Sequence, residues 1–236
     1  MNPSVTLLIP TLNEFEAMQI IMPRVKKEWV DQILIVDGQS ADGTIEYAHR
    51  QGYEVCIQKG EGIRSAYQEA WPLIRGEIVV TFSPDGNCIP ELIPQLINKM
   101  KEGYDMVVAS RYFGGAKSED DSWLTKFGNW FCTQVLVNGL HGANYTDAMG
   151  MYRAYRTRLF YDLDIDKDES YATEKLWLTH IGCEPLLSTR AAKRKLKVAE
   201  IAGDEPQRIG GRTKLKLFQW GGALFTQVIR ELWYWK

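Results

Sequence analysis

Five short runs rich in valine, isoleucine and leucine recur through the first half of the chain: Val5 to Ile9, Gln32 to Val36, Tyr53 to Ile57, Glu77 to Thr81 and Asp105 to Ala109. Between them lie Glu14 to Met22, Asp42 to Arg50, Gly62 to Ile74 and Ile89 to Met100, which carry apolar residues at three- and four-residue spacing. The first set reads as buried strands and the second as helices. Strand and helix in alternation predict a mostly parallel sheet covered on both faces, because each parallel connection must cross over the sheet. In such sheets ligands bind beyond the carboxyl ends of the strands. The loops to inspect are therefore Pro10 to Glu14, Asp37 to Gly43, Gln58 to Gly62, Ser83 to Asn87 and Ser110 to Gly115.

The second half is less regular. The pattern predicts a helix within Ser122 to Leu140, a compact segment Thr146 to Arg158 and a helix from Glu169 to Ile181, then short strands near Leu186 and Lys197. A final helix is expected from about Leu215 to Trp235. No internal repeat or long linker divides the 236 residues, so one domain is expected over 1–236. Within it, 1–115 is the regular half, 116–214 the less regular half and 215–236 an amphipathic helix.

Composition narrows the function classes. A formal net charge of −2 gives no general attraction to nucleic acid. The four cysteines are far apart and form no C-x-x-C pair, which argues against a zinc or disulfide framework. The opening Met1-Asn2-Pro3-Ser4-Val5 lacks the features of a signal peptide, and no run approaches the roughly eighteen apolar residues of a spanning helix. The expectation is a cytoplasmic protein, peripheral at the inner face of the membrane if it meets one.

Several loops carry residues suited to a particular chemistry. Asp37 ends a buried strand at the ligand-binding edge, where a carboxylate can accept hydrogen bonds from a base or ribose. Asp42, at the start of a helix, reads as a cap. Asp85 and Asn87 place a carboxylate and an amide oxygen two residues apart on one turn, a donor set for Mg2+ or Mn2+ that leaves room for water and phosphate. Gly60 and Gly62 precede a helix containing Arg64, an arrangement that aims backbone amides at an anion. The full dinucleotide fingerprint and the P-loop lysine motif are both absent. Arg208-Ile209-Gly210-Gly211-Arg212-Thr213-Lys214 gathers three cations and two glycines that suit closure over a diphosphate.

Taken in order, these segments resemble glycosyltransferase family two, and within it the dolichyl-phosphate mannose synthase-like branch. Ile9-Pro10-Thr11-Leu12-Asn13-Glu14 is similar to I-P-x-x-N-E. Val36 to Thr44 is similar to V-D-D-G-S-x-D-G-T, departing at Gly38 and Gln39. Val108 to Tyr112 is similar to V-x-G-S-R-Y, Asp147 to Tyr155 to D-x-x-S-G-F-R-A-F without its serine, and Arg208 to Lys214 to R-x-G-G-x-S-K. The resemblance implies a GT-A fold: a Rossmann-like, mostly parallel sheet flanked by helices, with 1–115 as the nucleotide-binding half and 116–214 as a less regular acceptor-binding half. It implies that Pro10, Thr11, Asn13, Glu14 and Asp37, together with Arg64, hold the nucleotide of a GDP- or UDP-sugar. Asp85 and Asn87 would hold the divalent cation. Arg111, Arg153, Arg208, Arg212 and Lys214 would meet the donor diphosphate or an acceptor phosphate, with Asp147 beside the reacting centre. Ser83 stands where the family's D-x-D metal motif has its first aspartate.

The expected reaction is a single in-line displacement, inverting at the anomeric carbon, onto a polyprenyl phosphate. If the acceptor were a hydroxyl, Asp147 would be the base. A soluble transferase acting on a saccharide or protein hydroxyl and a non-catalytic nucleotide-sugar-binding protein are the rival readings. The apolar stripe of the final helix, including Phe218, Phe225, Leu232 and Trp233, is expected on the protein's own domain, on a second subunit or at a bilayer surface.

Overall fold

The computed structural model describes residues 3–209 and 217–235. Arg212, Lys214 and the two glycines of their loop lie outside the described residues. Strands β1 (Val5–Thr11), β2 (Gln32–Asp37), β3 (Glu54–Ile57), β4 (Ile78–Thr81), β5 (Met106–Ser110), β6 (Arg153–Arg156) and β7 (Val198–Ala202) form one sheet in the order β3-β2-β1-β4-β6-β5-β7. β6 runs antiparallel to both of its neighbours. All other pairings are parallel. The carboxyl ends of β1, β2, β4, β5 and β7 therefore share one edge.

Alternation along the strands explains the two cores. Leu7 and Ile9 of β1 face one side with Ile35, Val80 and Val107. Leu8 faces the other with Leu34, Val79 and Val108. Helices α1 (Phe15–Ile21), α2 (Thr44–Arg50) and α4 (Ile93–Lys101) cover the first side. Helix α3 (Gly62–Ala70) and the short α7 (Leu159–Asp162) cover the second, where Trp71 stacks on Phe160 at 3.9 Å.

The second half corrects three expectations. The predicted helix over Ser122 to Leu140 is present as α5 (Trp123–Trp130), a π-helical stretch over Phe131–Asn138, and α6 (Gly139–His141). Glu169 to Ile181, however, is not one helix. It holds a 3-10 turn over Asp168–Tyr171 and the four-residue α8 (Glu174–Trp177), which ends at Leu178 in the left-handed region. Glu174 draws the chain round, accepting from the Ile181 backbone N–H at 2.8 Å.

Leu186 lies not on a strand but in α9 (Glu184–Lys193), with Pro185 in its first turn. Eight of its ten residues are buried, so the sequence carries no amphipathic stripe from which to read a helical period. The strand expected near Lys197 is present as β7, which starts at Val198, and the basic run Lys193 to Lys197 is the end of α9 and the turn into it.

Helix α10 (Leu217–Arg230) stops short of Trp235. The chain then turns so that the Trp235 indole donates to Asp164 at 2.8 Å and lies beneath the Arg190 and Arg194 guanidinium groups. α10 packs on its own domain through Ala223, Leu224, Gln227 and Val228, leaving Phe218, Phe225, Leu232 and Trp233 exposed. Among the described residues no helix is long and apolar enough to cross a membrane.

Candidate functional site

The loops after β1 and β2 are sewn to each other. Thr11 and Asp37 are register partners at the strand ends, and the Thr11 hydroxyl donates to Asp37 Oδ2 at 2.7 Å. Ser40 donates its N–H to Asp37 Oδ1 and its hydroxyl to Oδ2. Asn13, at φ 56°, accepts from Ala41 N and donates its own N–H to the Ser40 hydroxyl. Asp42 accepts from Phe15 N and from Thr44 N and Oγ1, while Glu14 N donates to the Thr44 hydroxyl. Burial would raise the Asp42 pKa, but these bonds lower it. Asp42 thus behaves as the cap it was taken for, one residue before the formal cap position, and also fastens α1.

Asp37 corrects the simple picture of a carboxylate projecting into a ligand. It is fully buried and already accepts three bonds. A carboxylate has about four lone-pair sites, so one on Oδ1 remains for a nucleotide, and the larger role of Asp37 is to shape the loop above it. Pro10, opposite Val36 on β2, and Thr11 lie on the same rim.

The Gly60 to Arg64 expectation fails for two physical reasons. The Lys59 and Gly60 amides donate to the Glu69 carboxylate at 2.8 to 3.0 Å, so they are spent within the protein. Arg64 is taken up by Asp168 at 2.7 Å and Glu174 at 2.9 Å, over the face of Tyr171. Glu174 is itself buried and requires a cation.

Arg153 is a second correction. Its guanidinium is completely buried and donates to the carbonyls of Gly150 and Ala148 and to Ser188 Oγ. It holds the Asp147 to Met151 turn against α9 and has no free face for a phosphate.

The other part of the rim is built around carboxylates. On the turn after β4, Asp85 Oδ1 accepts the Asn87 backbone N–H at 3.1 Å. Gly86 at φ 99° makes that turn possible, and a Cβ there would meet the Ile209 side chain at 2.9 Å. The Ile209 amide donates to the Asp85 carbonyl at 2.6 Å, which fastens the late arginine segment to this turn. Arg208 Nη2 donates to Asp120 Oδ2 at 3.1 Å, and its Nη1 lies 3.7 Å from Asp85 Oδ2. The Asn87 amide nitrogen donates to the same Asp120 oxygen at 3.0 Å. Its Oδ1 is buried with no partner.

Beside this, Arg111 donates through Nε and Nη2 to both oxygens of Asp147, at 2.7 and 3.0 Å. Arg111 Nη1 lies 3.6 Å from Glu205 and 3.8 Å from Asp121. Asp147 is fully buried, and its Oδ1 also accepts from the Met149 and Gly150 amides. Burial would raise its pKa, but the charge and hydrogen bonds of Arg111 outweigh that and hold it below the ordinary aspartate value of 3.8. Glu205 goes the other way. Burial and the nearby Asp121 and Asp120 raise its pKa against the opposing pull of Arg111 and Ser118.

Five carboxylates, Asp85, Asp120, Asp121, Asp147 and Glu205, thus face two guanidinium groups, Arg111 and Arg208, among the described residues. Asp120, Asp121 and Glu205 escaped the sequence reading. The only signal for the first two is the acidic run Glu119-Asp120-Asp121 before α5. An excess of negative charge with an orphaned amide oxygen fits a hard cation. No three acidic, histidine or cysteine side chains among the described residues converge as a complete cage, so any cation held here takes further oxygens from ligand or water. A cavity of about 250 Å³ borders this region along Lys117, Glu119 and Glu205.

Residues 6–164 match the profile of Glycosyl transferase family 2. The chain belongs to this family. It is 30% identical to the undecaprenyl-phosphate mannosyltransferase of Micrococcus luteus, over 89% of this chain and 87% of the relative. It is 27% identical to the glycosyltransferase AglJ of Haloferax volcanii, over 97% of this chain and 72% of the relative. Among solved structures, glucosyl-3-phosphoglycerate synthase from Mycobacterium tuberculosis, in complex with Mn2+, UDP and phosphoglyceric acid, superposes with a TM-score of 0.66. That match covers 98% of this chain and 77% of the other at 19% identity, a likeness of fold. The fold is GT-A. In this glycosyl transferase family 2 member the metal-motif turn carries a single acidic residue, Asp85, because Ser83 occupies the position two residues before it.

Proposed function

We propose that the chain moves a sugar from a nucleoside diphosphate to the phosphate of a polyprenyl lipid, with inversion at the anomeric carbon. The observation that carries this reading is the state of Asp147. A fully buried carboxylate, bonded through both oxygens to Arg111 and held below its ordinary pKa, is a poor proton acceptor near neutral pH. A phosphate acceptor is already an anion and requires no base. The named activity of the Micrococcus luteus relative supports the same acceptor class.

The loops holding Thr11, Asn13, Glu14 and Asp37 receive the nucleoside. The diphosphate lies before Asp85, Asn87 and Arg208, and Arg111 Nη1 meets the acceptor phosphate. Asp85 and Asn87 hold a divalent cation, Mn2+ or Mg2+, which when bound neutralises charge on the departing diphosphate. An acceptor phosphate oxygen forms the bond to the anomeric carbon. The bond from that carbon to the β-phosphate oxygen breaks, and its electron pair leaves with the nucleoside diphosphate. Arg208 stabilises that growing charge, and no proton need move.

The lipid acceptor also accounts for an exposed aromatic surface. Trp123 is 80% exposed, Phe127 57%, Trp130 53% and Phe218 87%. Tryptophan and phenylalanine on helices suit the bilayer interface, and we read these residues as a peripheral membrane contact.

One observation favours a second reading. Glu205, with its raised pKa and an oxygen 3.6 Å from Arg111, has the protonation behaviour of a base for a hydroxyl acceptor. The deciding experiment incubates the protein with Mn2+ and GDP- or UDP-sugars against undecaprenyl phosphate in detergent and against water-soluble saccharides. Glycosylated lipid phosphate is the expected product. Transfer confined to hydroxyl acceptors, and abolished in Glu205→Gln, would replace the first reading with the second. Nucleotide binding with no release of diphosphate on any acceptor would remove both.

A further inference from the structure

Three side chains from separate segments meet on one oxygen. Asp120 precedes α5, Asn87 follows β4 and Arg208 follows β7, yet Asp120 Oδ2 accepts from Asn87 Nδ2 at 3.0 Å and from Arg208 Nη2 at 3.1 Å. The other arm of the same guanidinium stands 3.7 Å from Asp85 Oδ2, so one cation is shared by two carboxylates. Asn87 is only 9% exposed, and its Oδ1 has no hydrogen-bond partner. A buried amide oxygen left unpaired costs free energy, unlike an exposed one. Asn87 is itself bonded to both carboxylates, through its backbone N–H to Asp85 and through Nδ2 to Asp120, and what its Oδ1 lacks is a group that accepts oxygen ligands and carries positive charge.

We propose that Asp120 is a ligand of the divalent cation, supplying the second carboxylate that Ser83 does not, and that Arg208 competes with the cation for the Asp85 and Asp120 pair. The inference rests on the reading above that Asp85 and Asn87 hold a cation. Oxygen donors of this kind, an aspartate pair and an amide carbonyl, match the hard cations Mn2+ and Mg2+. Arg208 hydrogen-bonds Asp120 and offsets the charge of Asp85 from 3.7 Å, but it leaves Asn87 Oδ1 unpartnered, whereas a small dication can meet all three. Displaced from the carboxylates, the planar fork of Arg208 is released to pair with phosphate oxygens. The same residue thereby couples cation occupancy to diphosphate binding.

The two halves of the proposal predict changes of opposite sign, which separates them from a merely structural ion pair. Binding of Mn2+ alone, with no nucleotide, is followed by loss of the free-ion electron paramagnetic resonance signal. Asp120→Asn keeps the shape and the bond to Asn87 but removes a charge, and is expected to weaken Mn2+ binding at least about tenfold. Arg208→Gln removes the competitor and is expected to tighten it severalfold. In the Arg208→Gln background Asp120→Asn still weakens binding, which excludes an effect transmitted only through the arginine. Glu119→Gln, one residue away, serves as the control for charge near the site and leaves binding within about twofold of wild type. Thermal unfolding without metal checks that each variant is folded.

Equal Mn2+ affinity in wild type and Asp120→Asn, in both backgrounds, would overturn the assignment of Asp120. Looser or unchanged binding in Arg208→Gln would overturn the competition. If Asp85→Asn abolishes binding while Asp120→Asn leaves it unchanged, only this inference fails. If wild-type protein binds no Mn2+, with or without UDP or GDP, the cation reading beneath it fails as well.

Discussion

Asp147 and Arg111 form a two-bond charged pair inside the protein. The Arg111 side chain is only 15% exposed, so neither charge has much water to fall back on. Replacing Asp147 with asparagine leaves that guanidinium short of a counter-charge, and a loss of about 3 kcal/mol is expected, at the low end for breaking a buried pair because the amide still accepts a hydrogen bond. The pH dependence has a definite sign. A folded-state pKa below 3.8 means that the carboxylate's stabilisation is fully present above that value and is lost as pH falls through the lower, folded value. Wild-type stability should therefore fall more steeply than that of Asp147→Asn below about pH 4, measured by urea unfolding at stepped pH. Parallel acid limbs in the two proteins would show that Asp147 is not the ionised, paired group described here.

At the level of elements, α9 and α10 are joined by a charged pair, not by apolar contact alone. Arg190 donates through Nε and Nη2 to Glu231, and both side chains are completely buried. The remaining guanidinium donor also serves the carbonyls of Leu163 and Asp164 and the Ser170 hydroxyl. These bonds hold Glu231, the first residue after α10, against α9. Glu231→Ala is expected to cost about 3–5 kcal/mol, because it strands a buried cation. The double variant Arg190→Met, Glu231→Leu should recover part of that and not all, since the Leu163 and Asp164 carbonyls stay unpaired. Urea midpoints measure both. A Glu231→Ala loss under about 1 kcal/mol, the range of exposed pairs, would mean that water reaches the pair.

For the molecule as a whole, the question is which surface meets a lipid acceptor. α10 contacts both α8 and the π-helical stretch that continues α5. The exposed aromatics of α5 and α10 therefore belong to one connected layer of helices. Co-sedimentation with phosphatidylglycerol-containing vesicles should fall at least about tenfold in the triple variant Trp123→Ser, Phe127→Ser, Phe218→Ser, given about 1.5–3 kcal/mol for each large side chain fully buried. The thermal midpoint should change little, since these side chains are already exposed. Undiminished sedimentation would assign the membrane contact to another surface, or remove it.

The alternation of β-branched runs with helical periods was enough to read the parallel sheet and the edge where its loops converge, because both follow from local pattern and from the handedness of crossovers. The Asp85 turn and the Thr11 to Glu14 and Asp37 to Thr44 loops were legible for the same reason: each lies at the end of a recognisable strand. What the chain did not reveal locally is the direction in which charged side chains are aimed. Arg64 reads from the sequence as a nucleotide ligand and Arg153 as a phosphate ligand, yet buried Glu174 and the carbonyls of the 148–150 turn claim them. α9 was hidden because burial on all sides erases helical periodicity. Asp120 and Glu205, 85 residues apart in the numbering, became neighbours of Arg111 and Arg208 only through packing of β5 against β7. Charge pairing depends on distance in space, and no spacing along the chain encodes it.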